Sequence, residues 1–568
     1  MMHLQDAVSR SETIRYVCSH HEQSCAFAAE AHARLTGTLG VCYATSGPGG
    51  TNTVTGIAQA WTDSSPVLFL VGQAKASETI RGTGLAVRQF GTFEVDMVSI
   101  AAPITKYAAF VDDPKKIRFH LDKAIGLATS GRPGPTLLEI PLNVQGALID
   151  PAELEGCDES FVPPMPTLDD AEIDDIIARL ASAKRPLILA GHGVRVSGAA
   201  ERFRELVRLW NLPVATTPLA NDLIPYGDPL LVGHPSLKGD RAGNIAVQSA
   251  DVILALGCSL HAMTTGYELK RFAPDAYKIQ VEMDEMILRR EAVGVQRKVQ
   301  APVEVFLERL AARAKSPIAQ EGAWHAHCRR LKDELSVDRE PHPRPDGKLS
   351  YYDVIFALNE HTRGDEVLIA DAGSAYYTLG QAFRARPGQR VIISGGLGQM
   401  GYTTSAVLGA ASADPSRRVI GLTGDGSLQT NLHDLSVLAH HGFNAALVVV
   451  NNAGYVSIRN TQNNYFGGFL SGTDARSGLA IPDHEKLCAA FGLRYRAART
   501  ADELRDGMRE AVASGAPMFF EVFTAHEQQI IPTVQSQRLP DGTMVSKPLQ
   551  DMYPFLAPEV LEGYLRGG

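Results

Sequence analysis

Two short stretches of this sequence carry oxygen-bearing side chains directly behind apolar runs. Gly424–Ser427 reads GDGS after RVIGLT, and Asn451–Tyr455 reads NNAGY after AALVVV. Asp425 and Asn452 stand 27 positions apart. A strand, a covering helix and a second parallel strand need about that much chain, so both side chains should emerge side by side at one sheet edge. Oxygen donors without Cys or His suit a hard cation such as Mg²⁺, which takes few protein ligands and completes its shell with phosphate oxygens and water. Gly424 and Gly426 let the backbone approach a diphosphate, and Ser427 is expected to open a helix whose free N–H groups suit an anion. An isolated GDG reads as a tight turn after a strand. The NN pair behind a second apolar strand shifts the reading to a bound diphosphate.

Groups placed this way need parallel sheets covered by helices, and the chain offers three stretches of that pattern. The expected fold class is α/β, with three doubly wound parallel-sheet domains. The first, 1–150, has strand candidates IRYVC, LGVCYAT, VLFLVGQ and TLLEIP, with helices Gln23–Leu35 and Thr51–Thr62 between them. Residues 151–168 are rich in Pro and acidic groups without an apolar period, as in an exposed linker. The central domain, 169–335, starts on a helix Asp169–Ser182 and has strands PLILAG, PVATT, DVILALG and YKIQVEM. The third, 345–534, contains EVLIADAG, RVIISGG, RVIGLTGDGS, AALVVVNNAGY and MFFEVFT, strands that finish in Gly, Asp or Asn. Residues 535–568 show no clear period and read as a covering segment over the surface, a neighbour or a site.

Composition narrows the partners. The 568 residues are 45% hydrophobic and 21% charged, as in soluble globular proteins. Lys+Arg 54 against Asp+Glu 63 gives a net charge of -9, without the positive field that nucleic acid attracts. The 7 cysteines are scattered and never in C-x-x-C spacing, against a disulfide framework or a zinc site and in keeping with a reducing cytoplasm. No apolar run reaches the roughly 20 residues of a membrane helix, and no secretory signal pattern stands at Met1.

With GDG followed by NN, the chain resembles the thiamine diphosphate enzymes. HHEQSCAFAAEAHAR, TSGPGGTN, ISGGLGQMGY and NNAGYVSIRNTQNNYF extend the likeness over almost the whole chain. It is most similar to acetohydroxyacid (acetolactate) synthases, especially the synthase-like members associated with sugar and polysaccharide biosynthesis. The resemblance implies pyrimidine-binding, central and diphosphate-binding domains in that order. It implies Asp425, Asn452 and the Gly454 carbonyl as Mg²⁺ ligands, and Glu22 as the carboxylate that bonds the aminopyrimidine ring and favours the tautomer able to remove the thiazolium proton. Met400 matches the apolar wedge that holds the two cofactor rings bent together. Gly373, Ser374 and Gly398 join Gly424, Gly426 and Ser427 around the cofactor. The implied activity is decarboxylation of a 2-keto acid such as pyruvate and ligation to a second carbonyl. A simple decarboxylase and a non-catalytic cofactor-binding homologue are the alternatives. The implied assembly is a homodimer or homotetramer in which one subunit's Glu-bearing domain faces another's diphosphate domain. LILAGHGV, with Gly191 and Gly193, is similar to the domain that holds FAD in these synthases. Some relatives need no flavin, so FAD and a flavin-free protein both stand.

The chain departs from the family pattern in three places. It begins near the segment HLQDAVSRSETIRYVCSHHEQ, where relatives first have a strand, a Gly-rich turn and a helix, so the first domain is expected to be N-terminally truncated. In FGTFEVD, residues Thr92, Phe93 and Glu94 stand where these synthases carry Phe-Gln-Glu. Arg459 stands where they carry an acceptor-selecting Trp, and reads either as a surface ion-pairing residue or as a ligand for a polar acceptor.

Overall fold

The structure, a computed structural model, describes residues 1–158, 167–538 and 540–566. Three parallel sheets organise them, in line with the expected fold class. The first contains β1 (Gly40–Ala44), β2 (Val67–Gln73), β3 (Tyr107–Phe110) and β4 (Thr136–Pro141), in the order β1-β2-β4-β3. The second contains β5 (Pro186–Ala190), β6 (Val214–Thr216), β7 (Leu231–Gly233), β8 (Val252–Leu256), β9 (Tyr277–Glu282) and β10 (Arg297–Gln300), in the order β10-β9-β8-β5-β6-β7. The third contains β11 (Val367–Ala370), β12 (Arg390–Ile393), β13 (Val419–Gly424), β14 (Ala445–Asn451), β15 (Arg494–Ala498) and β16 (Met518–Phe523), in the order β12-β11-β13-β14-β16-β15.

Strands covered on both faces read as continuous apolar runs rather than alternations. VLFLVGQ, VIGLTG and AALVVVN do so, and each is buried along nearly its full length. β3, β7, β10 and β15 fall outside the expected strands. YAAF and RKVQ have few buried side chains and weak β character, and LVG is only three residues long. IRYVC is a correction in the opposite direction. It is rich in β-branched and aromatic residues but forms no strand: it runs largely exposed, with only Val17 packed on a core, and has no ladder partner among the described residues. The expected helix Thr51–Thr62 is two pieces, Pro48–Asn52 and Val54–Asp63.

Residues 159–166 of the expected linker lie outside the described residues. The final segment packs on the central unit. Val534 N–H donates to the Leu237 carbonyl at 2.9 Å, Asn244 Nδ2 to the Leu549 carbonyl at 2.9 Å and Arg241 Nη1 to the Met552 carbonyl at 2.9 Å. A helix that the sequence reading lacked, Pro558–Arg566, lays Leu561, Tyr564 and Leu565 against the cluster around Cys328 and Leu331.

The first and third units join through two helices, Glu22–Thr36 and Tyr402–Ala413. Phe27 and Tyr402 meet edge to face at 5.5 Å, and both are fully buried, each contributing about 2–3 kcal/mol. The approach is close because residue 409 is glycine: a Cβ there would lie 2.0 Å from the Ala28 carbonyl oxygen. Tyr402 also donates to Glu30 Oε2 at 2.5 Å inside this seam.

Candidate active site

β13 and β14 are adjacent and parallel, with Gly424 paired to Val450, so Asp425 and Asn452 leave neighbouring strands at the same edge. Asp425, rather than the expected Ser427, opens the short helix Asp425–Leu428. Its carboxylate is fully buried and takes two backbone N–H groups, Gly426 at 3.0 Å and Gly454 at 2.9 Å. Burial outweighs those bonds and pushes its pKa up to about 6. A carboxylate held dry beside two backbone donors is poised for a cation.

The turn that supplies Gly454 is strained. Ala453 has φ +60 and Gly454 has φ +125, a region where a non-glycine residue is uncommon and costs of order 1 kcal/mol or more. Asn451 Oδ1 accepts from the Ala453 N–H at 3.0 Å and holds the turn. Any Cβ at Gly454 would strike the Thr473 carbonyl oxygen at 2.1 Å, and one at Gly426 would strike the Tyr455 ring at 2.3 Å. Both glycines preserve a backbone cradle.

Arg459 corrects both earlier readings of that residue. It is neither at the surface nor free for an acceptor: it is 1% exposed. Its Nη1 donates to the Thr473 carbonyl at 3.0 Å, and its Nη2 to the Asn452 carbonyl at 2.9 Å, to Asn452 Oδ1 at 3.1 Å and to the His526 carbonyl at 2.6 Å. The guanidinium is a fixed fork that ties the Asn452 turn to two other segments.

Sequence reasoning missed two further groups. Asp371, just beyond β11, is fully buried. It accepts from Ser427 Oγ at 2.7 Å, Thr423 Oγ1 at 3.0 Å and the Ala372 N–H at 2.8 Å. Burial still raises its carboxyl above the ordinary range. The second is Glu521 on β16, with His484 beside it. Glu521 Oε1 takes His484 Nδ1 at 2.7 Å and Asn451 Nδ2 at 2.7 Å, and Oε2 takes Tyr495 at 2.6 Å. Gln429, 3.4 Å from His484 Nε2, donates to the Asp425 carbonyl at 2.8 Å. Glu521 thus backs both the GDGS and the NNAGY turns. A DAG turn and a polar residue within MFFEVF gave no local signal of either role.

The other expected residues fall in three places. Ser427 accepts from the Gly401 N–H at 3.0 Å, which brings the loop of Gly398 and Met400 beside the GDGS turn. Gly373 and Ser374 open the helix Gly373–Ala382 against Ser457, with the two hydroxyls 3.3 Å apart. Glu22 is the first residue of the helix Glu22–Thr36 and lies half-buried. Its Oε2 accepts from Asn52 Nδ2 at 3.0 Å, and among the described residues no hydrogen bond joins it to the Asp425 cluster. Nearby, Glu94 is buried and accepts the N–H groups of Ile80, Phe90 and Gly91, while Phe93 is 69% exposed.

Gly191 and Gly193 lie at the tips of the central sheet, where the strand order divides between β5 and β8. The Gly193 N–H donates to the Gly257 carbonyl at 2.9 Å, and a Cβ on Gly193 would lie 2.6 Å from Gly257 Cα. They line a cavity of about 400 Å³ with Glu282, Arg132, His261, Asp63 and Gly396.

Family models match the chain in three consecutive parts. They are the thiamine pyrophosphate enzyme N-terminal TPP binding domain at residues 1–90, the central domain at 173–310 and the C-terminal TPP binding domain at 371–522. The chain is 30% identical over 539 residues to a probable acetolactate synthase large subunit of Methanocaldococcus jannaschii, covering 92% of this chain and 87% of that protein. It is 30% identical over 532 residues to the acetolactate synthase isozyme 1 large subunit of Escherichia coli, covering 93% and 90%. With the acetolactate synthase large subunit of Lactococcus lactis it shares 27% over 537 residues, covering 94% and 90%. Sheets, buried carboxylate and sequence likeness agree: the chain belongs to the thiamine pyrophosphate enzymes, among their acetolactate synthase-like members.

Proposed function

We propose that this chain decarboxylates pyruvate or a similar 2-keto acid and joins the two-carbon unit to a second carbonyl, giving acetolactate when the acceptor is also pyruvate. The observation that carries the reading is the buried Asp425 carboxylate between the Gly426 and Gly454 amides, on a chain of this family. Among the described residues, no three His, Cys, Asp or Glu side chains cluster to hold a metal alone. A Mg²⁺ ion here would therefore draw on Asp425, the Asn452 amide, the Gly454 carbonyl and diphosphate oxygens, an all-oxygen set that suits it.

Thiamine diphosphate, when bound, would supply a thiazolium ring as the electron sink for decarboxylation of a keto acid. The chain's own groups position and protonate. Asn52 fixes one oxygen of Glu22, leaving the other to hold a proton at the aminopyrimidine nitrogen. Gly424, Gly426, Gly373 and Ser374 would hold the diphosphate, and Met400 and Gly398 would hold the rings. The exposed loop holding Phe90 and Phe93, with the exposed Phe466 and Phe469, offers apolar surface for excluding water.

These exposed phenylalanines support a homodimer, or a homotetramer built from it, in which a second copy would cover them. Glu22, bonded inside its own unit, would then face a second copy's Asp425 turn. The central cavity supports FAD bound across the β5/β8 crevice, and the absorption spectrum of the purified protein decides this. No helix among the described residues is long and apolar enough to cross a membrane, and we propose a cytoplasmic protein acting on small molecules.

The test is incubation with pyruvate, thiamine diphosphate and Mg²⁺, with product analysis. Acetolactate or acetoin is expected. Free acetaldehyde as the main product would make the chain a simple decarboxylase, and no turnover with cofactor bound would make it a non-catalytic homologue. Glu22→Gln should lower turnover about 100-fold or more while the cofactor still binds. Unchanged turnover would remove that role from Glu22.

A further inference from the structure

Asp63 closes the helix Val54–Asp63 in the first unit and is buried in the seam with the third. Its Oδ1 accepts the Gly396 N–H at 2.8 Å, while its Oδ2 takes Gln59 Nε2 at 2.6 Å and Arg34 Nη1 at 3.2 Å. Arg34 Nη1 also donates to the Ile393 carbonyl at 2.7 Å. The Ser394 hydroxyl lies 3.2 Å from Gln59 Oε1 and 2.6 Å from Gln399 Oε1. Three polar side chains of the first unit therefore grip Ile393, Ser394 and Gly396, the start of a segment that belongs to the third. A Cβ on Gly396 would lie 2.4 Å from Asp63 Oδ1, so glycine is what admits the carboxylate.

The far end of the same segment is also fixed. The Gly401 N–H donates to Ser427, and its carbonyl accepts from Asn431 Nδ2 at 3.0 Å. Between the two anchors, Leu397 and Met400 stand 41% and 40% exposed, so the anchors rather than packing set where Met400 points. The Asp63–Gly396 and Arg34–Ile393 bonds are the charged members of the set, and such bonds are about twice as strong as neutral ones.

We propose that Asp63, supported by Arg34 and Gln59, is a positioning residue for Met400: the first unit of the chain holds the wedge that the third unit presents to the cofactor rings. The proposal rests on Met400 being that wedge. A loop held at one end drifts, and a misplacement near 1 Å at the reacting centre costs about 100-fold. Asp63, which also lines the central cavity, reaches the Met400 segment through the Gly396 amide.

The test reads the exchange of the thiazolium C2 proton with D₂O on bound thiamine diphosphate, by acid quench and proton NMR, beside the calorimetric Kd of the cofactor with Mg²⁺. Asp63→Ala should slow exchange at least about tenfold with Kd changed less than about threefold. Asp63→Asn keeps an oxygen for the Gly396 N–H and should restore exchange to within about threefold while still losing the ion pair with Arg34. A merely structural role would instead make D63N as poor as D63A, which would overturn the proposal, as would normal exchange in D63A. If D63A does not fold, Ser394→Ala, which empties the neighbouring link, decides by whether exchange slows or stays unchanged. Met400→Ala runs in parallel. If it leaves exchange unchanged, the reading of Met400 fails and the proposal with it; if it slows exchange while D63A does not, only the clamp fails.

Discussion

The central and third sheets are both six-stranded and parallel, yet their edges carry different groups. At the central edge, Gly191, Gly193 and Gly257 bring backbone against backbone around an open cavity. At the third edge, Asp371, Asp425, Asn452 and Glu521 are buried side chains held in place by Ser427, Gly454, Arg459 and His484. A parallel sheet presents backbone N–H groups at its edge without further help, which suffices for an extended neutral or phosphate-bearing ligand. Holding a cation requires a dry carboxylate, and that needs a supporting set of side chains drawn from distant segments.

The sharpest way to break this contrast is to damage one edge at a time. Asp425→Ala should weaken Mg²⁺-linked uptake of thiamine diphosphate by about 100-fold or more in calorimetry. Gly193→Val, whose Cβ must push Gly257 away, should leave that uptake within about threefold and abolish any flavin titration instead. Equal losses of thiamine diphosphate in the two variants would show that the edges do not work separately.

A smaller effect is expected at the supporting layer. Arg459→Gln releases the Asn452 turn from Thr473 and His526, and should weaken Mg²⁺-linked uptake about tenfold. Unchanged uptake in this variant would show that the Asn452 turn keeps its place without Arg459.

The smallest effect separates the units by pH. Asp222 in the central unit is buried, but Arg390 and Arg195 beside it hold its carboxyl below the ordinary range. Its contribution to stability is therefore present above the usual Asp value and lost as pH falls through its folded pKa. Asp371 has the opposite sign. Burial raises its carboxyl, so its contribution is full below the usual Asp value and lost as pH rises through the folded one. Melting temperature against pH, without ligands, should lose its acid-side slope in Asp222→Asn and its slope above the usual Asp value in Asp371→Asn. Slopes that change in the same direction would contradict the assignment.

The fold was legible where burial on both faces wrote itself as an apolar run, as in VLFLVGQ and AALVVVN. It was illegible where a strand is short or flanked by solvent, as in LVG and RKVQ. IRYVC shows the converse: side chains suited to a strand do not make one without a neighbour to bond. At the site, the GDGS and NNAGY turns could be read because glycine and amide side chains at strand ends have few other uses. Arg459 could not, because its partners are backbone carbonyls of residues 452, 473 and 526, and carbonyls leave no trace in a string of residue types. Asp371 was hidden for a related reason, since its partners Thr423 and Ser427 lie on another strand and its helix.

Gly409 has a consequence for how the molecule yields to change. With the Ala28 carbonyl oxygen where a methyl group would sit, the two helices at that crossing have no slack, and they move as a single solid piece. Enlarging residue 409 would pry the seam apart and disturb the core that Phe27 and Ala31 share with the third sheet. The expected result is a protein that loses its two-part alignment on mild warming.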